Sequence, residues 1–119
     1  MRQILLSTCL VTFVASLQAA DDSGTYRTIG ESCGTFVRDF AAGGALRFQS
    51  ESWVTGYLTA YNRLADGTYD IRGGADLPSL MLWLNNFCQQ NPLRSLASAM
   101  AELTAELHPR RVRKAAAAP

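Results

Sequence analysis

The sequence predicts an all-α protein, a small single-domain four-helix bundle closed by one disulfide. Four segments carry apolar residues at alternating steps of three and four, which is the spacing of a helix with one buried face. Capping residues precede these segments, and glycine- or proline-containing pairs follow them. Two cysteines, Cys33 and Cys88, lie on such apolar stripes and can tie two helices together inside the bundle.

The first twenty residues have the layout of a cleaved secretory signal. A basic residue, Arg2, precedes an apolar run over 4–20, and the run ends on the small residues Ala19 and Ala20. Cys9 follows Leu-Ser-Thr and leaves a lipidated N-terminus as the alternative. We expect cleavage near Ala19 or Ala20 and an exported protein.

The remaining chain of about 100 residues suffices for one domain and not for two. It holds equal numbers of acidic and basic residues, because the eleventh basic residue, Arg2, leaves with the signal. This balance argues against a general nucleic-acid binder. No further apolar stretch approaches the ~20 residues of a transmembrane helix. The predicted division is a signal peptide over 1–20, a helical domain over 21–108 and a disordered basic tail over 109–119.

An exported protein with two remaining cysteines is expected to join them. A Cys33–Cys88 bridge would constrain the unfolded chain by about 4 kcal/mol. The alternative is a pair of unbonded buried thiols.

The first predicted helix runs from Thr28 to Phe40. Thr28 and Glu31 have the spacing of a capping box, in which a hydroxyl and a carboxylate satisfy free backbone N–H groups. The Gly43-Gly44 pair then ends the helix. A second helix is predicted from Ser50, as its cap, to Ala65.

The third predicted helix begins after Asp76, a capping carboxylate, and ends at Asn91-Pro92. The fourth starts at that same pair and continues to His108-Pro109. Its stripe comprises Leu93, Leu96, Met100, Leu103 and Leu107. The loop over 68–75 between helices two and three can touch the core through Ile71 but is too short for a sheet.

Few residues offer catalytic chemistry. The single histidine, His108, follows a predicted helix C-terminus, where a solvated cation is favoured. No second histidine exists to build a metal site with it, and no serine stands in a nucleophile-elbow pattern. We therefore expect neither an enzyme nor a cofactor. The basic tail, 110–114, either is solvated or touches anionic lipid or acidic protein.

A set of short motifs resembles the HdeA/HdeB family of periplasmic proteins, and HdeB more closely. The motifs are Cys33-Gly34-Thr35-Phe36, Trp53 on the second helix, and Phe87-Cys88-Gln89-Gln90-Asn91-Pro92 before an amphipathic helix. The resemblance covers roughly residues 31–107. It implies a four-helix domain with one disulfide, dimeric near neutral pH, which loosens in strong acid and holds denatured periplasmic proteins without ATP. The glycine linker, the loop over 68–75 and the arginine-rich tail depart from the family pattern.

The function expected from this resemblance is that of an ATP-independent acid-stress chaperone. Protonation of the carboxylates leaves a strongly positive chain, whose self-repulsion loosens a small bundle. Glu31 and Asp76 are the predicted acid-sensitive caps, since each acts at a helix start as an anion. The alternatives are a binding module, such as a toxin-immunity protein, and another exported domain, such as an envelope assembly factor.

Helix three has more apolar positions than one stripe needs, since residues 80–84 are all apolar. One reading buries all of them in the centre of the bundle. The other assigns part of them to a surface that covers a second subunit at neutral pH and clients in acid. The predicted client or dimer interface consists of Trp53, Tyr57, Tyr61, Leu82 and Trp83.

Overall fold

The computed structural model describes residues 32–115, which form four α-helices and a two-stranded sheet. The helices are α1 (Cys33–Ala42), α2 (Gly44–Leu64), α3 (Leu77–Gln90) and α4 (Leu96–Leu107). The strands are β1 (Thr68–Asp70), between α2 and α3, and β2 (Val112–Arg113), after a 3-10 turn over His108–Arg110. The predicted signal over 1–20 and the caps Thr28 and Glu31 lie outside the described residues.

Helix α1 begins later than the sequence predicts. Ser32 is extended, and its Oγ accepts a hydrogen bond from the backbone N–H of Thr35, which makes Ser32 the cap. Two further free N–H groups of this first turn find partners in the chain after α3. The N–H of Cys33 donates to the carbonyl of Arg94, and that of Gly34 donates to the carbonyl of Pro92.

Helix α2 starts at Gly44, six residues before the predicted cap Ser50. Gly43 has φ 69° and ends α1 while it caps α2, so the turn between the helices needs this left-handed glycine. Ser50 is buried inside α2, where its hydroxyl donates to the carbonyl of Leu46. In the sequence, Ser50 followed by Glu51 resembles a helix start, but in the structure Ser50 is an interior residue of α2.

The connection between α3 and α4 is longer than predicted. Asp76 caps α3 as expected, with Pro78 in the first turn. After Asn91 the chain makes a turn, and α4 begins at Leu96 with Ser95 as its cap. Leu93, predicted on the apolar stripe of helix four, therefore lies in the connection and is 97% exposed.

A sheet makes the fold mostly helical rather than all-α, and one of its strands lies within the segment that the sequence predicts to be a disordered tail; residues 116–119 of that tail lie outside the described residues. Strand β2, which lies in that tail, pairs antiparallel with β1, matching Thr68 with Arg113 and Asp70 with Val112. The N–H of Lys114 extends this pairing to the carbonyl of Gly67 at 3.0 Å. These partners are remote in sequence, so local composition gave no signal for them.

The core lies between α1, α3 and α4, with one stripe of α2 and the residue after β1 closing it. Ile71 is fully buried, as the sequence predicts for this loop. The buried apolar residues are Cys33, Phe36, Val54, Leu58, Ile71, Leu80, Met81, Leu84, Cys88, Leu96, Ala99, Met100, Leu103 and Leu107.

Candidate functional site

The predicted disulfide is confirmed. Cys33, at the first position of α1, is bonded to Cys88 in the last turn of α3, and both residues are fully buried. The backbone hydrogen bonds from Cys33 and Gly34 to the chain after α3 lie beside this bond. A buried bond in such surroundings holds α1 to α3 and is shielded from thiols in solution.

Three predicted interface residues share one face of α2. The rings of Trp53 and Tyr57 lie 5.7 Å apart, and both residues are half-buried. Burial raises the pKa of Tyr57, while a hydrogen bond with the side chain of Thr104 acts in the opposite direction. One turn further on, the hydroxyl of Tyr61 shares a hydrogen bond of 2.9 Å with Nδ1 of His108. His108 is thus a half-buried partner of α2.

A shallow apolar groove of about 430 Å³ continues this face. It is lined by Tyr57, Ala60, Tyr61, Leu64 and Ala65. Leu64 is 82% exposed although it lies in a helix whose neighbouring turns pack on the core. We call Trp53, Tyr57, Tyr61 and Leu64 the α2 apolar face.

The other two predicted interface residues lie elsewhere. Trp83 stacks on Phe87 with ring centroids 5.3 Å apart, and its Nε1 donates to Glu106 of α4 at 3.0 Å. On the helical wheel, Glu106 is about 200° from Thr104, the residue that meets Tyr57. Trp83 and Tyr57 therefore approach α4 from opposite sides.

Helix α3 buries part, not all, of its apolar run. Leu80, Met81 and Leu84 are in the core, Trp83 is half-buried against it, and Leu82 is 54% exposed. The predicted arrangement in which all of residues 80–84 are buried is therefore not observed, and the one that assigns part of them to a surface fits only Leu82, which faces solvent, and the half-buried Trp83.

The predicted acid-sensitive cap at Asp76 has the expected geometry. Its carboxylate accepts a hydrogen bond of 2.8 Å from the N–H of Ser79, and hydrogen bonding to Ser79 lowers the pKa of Asp76. Asp70 behaves in the same way, because hydrogen bonds from Arg72 hold its pKa below the usual value. Both carboxylates thus favour the folded state in their ionised form.

A buried carboxylate in α1 was not singled out by the sequence analysis. Asp39 is fully buried; its Oδ1 accepts hydrogen bonds from the guanidinium of Arg38, while its Oδ2 has no partner among the described residues. The available signal was its position between Phe36 and Phe40, on an apolar stripe where a charge is unusual.

Comparison with family models, with curated proteins and with solved structures gives no match. The resemblance to the HdeA/HdeB family therefore rests on the short motifs around Cys33 and Cys88.

A second groove, of about 380 Å³, lies beside α2 and β1 and is lined by both polar and apolar side chains. Its walls include Thr55, Thr59, Asn62, Asp70 and Arg72. These groups largely satisfy one another: Asn62 Oδ1 accepts from the N–H of Ile71, and Asp70 is bound by Arg72. Within 32–115 no cluster of three or more histidine, cysteine, aspartate or glutamate side chains could hold a metal ion. In the same range, no helix is long and apolar enough to cross a membrane.

Two exposed leucines, Leu64 and Leu93, were also missed as surface features. The place of Leu64 on the α2 apolar face could have been predicted, since it follows Tyr57, Ala60 and Tyr61 at helical spacing. The exposure of Leu93 could not, because its spacing to Leu96 fits a helix that begins at Pro92, and only the tertiary contacts of this connection show otherwise.

Proposed function

We propose that this protein is an ATP-independent chaperone of the periplasm, which loosens at low pH and holds denatured proteins on the α2 apolar face. The observation that carries the proposal is this face itself: two tyrosines and an exposed leucine line an apolar groove, and Trp53 packs beside Tyr57. Aromatic side chains offer large contact area at low cost in conformational entropy, which suits binding of varied apolar segments.

The disulfide supports the periplasmic assignment and the mechanism. Disulfides persist in oxidising compartments such as the periplasm. The Cys33–Cys88 bond keeps α1 on α3 when other contacts loosen, so the chain remains compact enough to refold. Helix α2 lies inside the loop that this bond closes but carries neither cysteine, so in this proposal it shifts while the two ends of the loop stay joined.

The carboxylates set the pH at which loosening begins. Asp70 and Asp76 have lowered folded pKa values, so their stabilising contribution is present above the unfolded pKa of about 3.9. It is lost as pH falls through the lower folded values. Release of the α2 apolar face is therefore expected below about pH 4, which fits strong acid stress.

At neutral pH a second copy of the chain covers the α2 apolar face in this proposal. Dissociation in acid, driven by positive charge on both copies, then presents the face to clients. No enzymatic step or cofactor enters the mechanism.

The test measures light scattering of an acid-labile client enzyme at pH 2–3 and at pH 7, with the chain from Asp21 onward. Leu64→Ser removes an exposed apolar side chain from the groove, and Leu93→Ser is the matched control, an exposed leucine in the α3–α4 connection. We expect protection in acid only, weakened several-fold by Leu64→Ser and unchanged by Leu93→Ser.

Absence of protection by the unmodified protein at pH 2–3 would overturn the proposal. Equal effects of the two leucine substitutions would show that clients do not bind at the α2 apolar face. A stable complex with one specific partner at pH 7, together with absence of acid protection, is the outcome expected of a toxin-immunity protein.

A further inference from the structure

The C-terminal basic segment has a fixed position on the folded domain. It carries four cations within five residues, Arg110, Arg111, Arg113 and Lys114. Strand β2 holds Arg113 opposite β1, and the N–H of Lys114 donates to the carbonyl of Gly67. Strand pairing therefore fixes the backbone that carries Arg113 and Lys114, whose side chains are exposed.

Close backbone packing secures the start of this segment. Gly73 has φ 60°, and a Cβ at that position would collide with the carbonyl oxygen of Arg110. A residue with a side chain would push the segment off the loop that precedes α3. In addition, the guanidinium of Arg111 donates to the carbonyl of His108 at 2.7 Å.

Most of the positive charge in this segment is not neutralised by nearby carboxylates. Arg110 meets Glu106 at 3.8 Å, and both side chains are largely exposed, so this pair is weak. Between residues 32 and 115, no carboxylate forms an ion pair with Arg111, Arg113 or Lys114. The segment thus presents a net positive surface.

Exposed apolar side chains accompany these cations on the same small sheet. Tyr69, in the middle of β1, is 67% exposed, and Val112, on β2, is 46% exposed. Tyrosine and arginine each join an apolar body to a polar tip, and such side chains favour the boundary between lipid headgroups and acyl chains. A soluble polyanion would engage the cations alone and would leave Tyr69 and Val112 in water.

We propose that the two-stranded sheet is a docking surface for an anionic phospholipid membrane. Arg113 and Lys114 contact the headgroup phosphates, and Tyr69 and Val112 enter the headgroup layer beside them. In this proposal the chain binds at the membrane surface, and no helix among the described residues is long and apolar enough to cross the bilayer. This surface is separate from the α2 apolar face, so the proposal does not depend on the chaperone function.

The experiment measures vesicle co-sedimentation at pH 7 with the chain from Asp21 onward, because the apolar run over 4–20 would bind lipid by itself. Vesicles of phosphatidylglycerol and phosphatidylcholine are compared with pure phosphatidylcholine, at low and at physiological salt. Circular dichroism verifies that each variant is folded. We expect binding to the anionic vesicles only, and weaker binding as salt screens the charges.

Removal of two cations from the sheet tests whether the sheet is the surface that binds the vesicles. Arg113→Gln/Lys114→Gln is expected to weaken binding by about tenfold or more, since each cation at an anionic surface contributes substantially. The matched control, Arg47→Gln/Arg94→Gln, removes the same charge from α2 and the α3–α4 connection and should leave affinity within about twofold of the unmodified protein. Tyr69→Ser tests the apolar part and should weaken binding several-fold at unchanged net charge.

Three results would overturn the proposal. Equal binding to neutral vesicles would show that charge is not recognised. An equal loss in the two double variants would show that net charge acts without a defined surface. Binding to a soluble polyanion such as heparin, with no sedimentation on anionic vesicles, would assign the cations to an acidic macromolecule instead.

Discussion

Helices α2 and α3 differ in the fraction of their residues that is buried in the core. Of the 14 residues of α3, five are buried, namely Leu80, Met81, Leu84, Asn85 and Cys88. Of the 21 residues of α2, three are buried, namely Ser50, Val54 and Leu58. Both helices pack on α1, but only the shorter one is covalently tied to it and also packs on α4. The shorter helix leaves Leu82 exposed, and the longer one leaves Phe48 and Leu64 exposed.

This difference assigns the two helices separate tasks. Stability is concentrated in α3, because burial of apolar area and the disulfide act there together. Regions with few buried contacts open at lower free energy than the core, so α2 is the element expected to move first in acid. Under the proposed function, the α2 apolar face thus lies on the element that we expect to open before the core does.

The largest expected effect follows from removal of the disulfide. Cys33→Ser/Cys88→Ser should lower the free energy of unfolding by about 4 kcal/mol, because the unfolded chain regains the entropy of a loop of 55 positions. Urea denaturation at pH 7, followed by circular dichroism, measures it. A loss below about 1 kcal/mol would contradict the assignment of stability to the α1–α3 contact.

A pair of leucine truncations sharpens the comparison between the helices. Leu84→Ala in α3 should cost about 2–5 kcal/mol, since it leaves a cavity in a fully buried site. Leu64→Ala in α2 should change stability by no more than about 0.5 kcal/mol, because that side chain already contacts water. Thermal and urea unfolding compare the two variants, and similar losses would mean that α2 is held as firmly as α3.

The smallest effect concerns the cap of α3. Asp76→Asn keeps a good capping oxygen but cannot ionise, so stability at pH 7 should change little. Because the folded pKa of Asp76 is lowered, the unmodified protein loses this contribution as pH falls below about 4, and the variant should lose less stability between pH 5 and pH 2. Urea midpoints over this range test it, with Asp66→Asn, an exposed carboxylate outside the helices, as the control. Identical acid profiles for Asp76→Asn and the unmodified protein would exclude Asp76 as an acid-sensitive group.

Local chemistry in the sequence determined much of the fold. Asp76 before a proline defined the start of α3, and the apolar spacing of Leu96, Met100, Leu103 and Leu107 defined the buried face of α4. These signals are readable because caps and helical periodicity depend on residues within four positions of each other. The pairing of Cys33 with Cys88 could be predicted for another reason: both cysteines lie on apolar stripes, and the chain was expected to be exported, which favours one intramolecular bond.

Contacts between distant segments decided the rest. The first turn of α1 takes carbonyl partners from Pro92 and Arg94, which keeps that connection out of helix α4 and leaves Leu93 in solvent. The tail pairs with β1 and packs its backbone against Gly73, so a segment without apolar periodicity becomes an ordered strand. The separation of Trp83 from the α2 apolar face likewise depends on which side of α4 each helix meets. A linear pattern shows which face of a helix is apolar, but only packing in three dimensions fixes what that face touches.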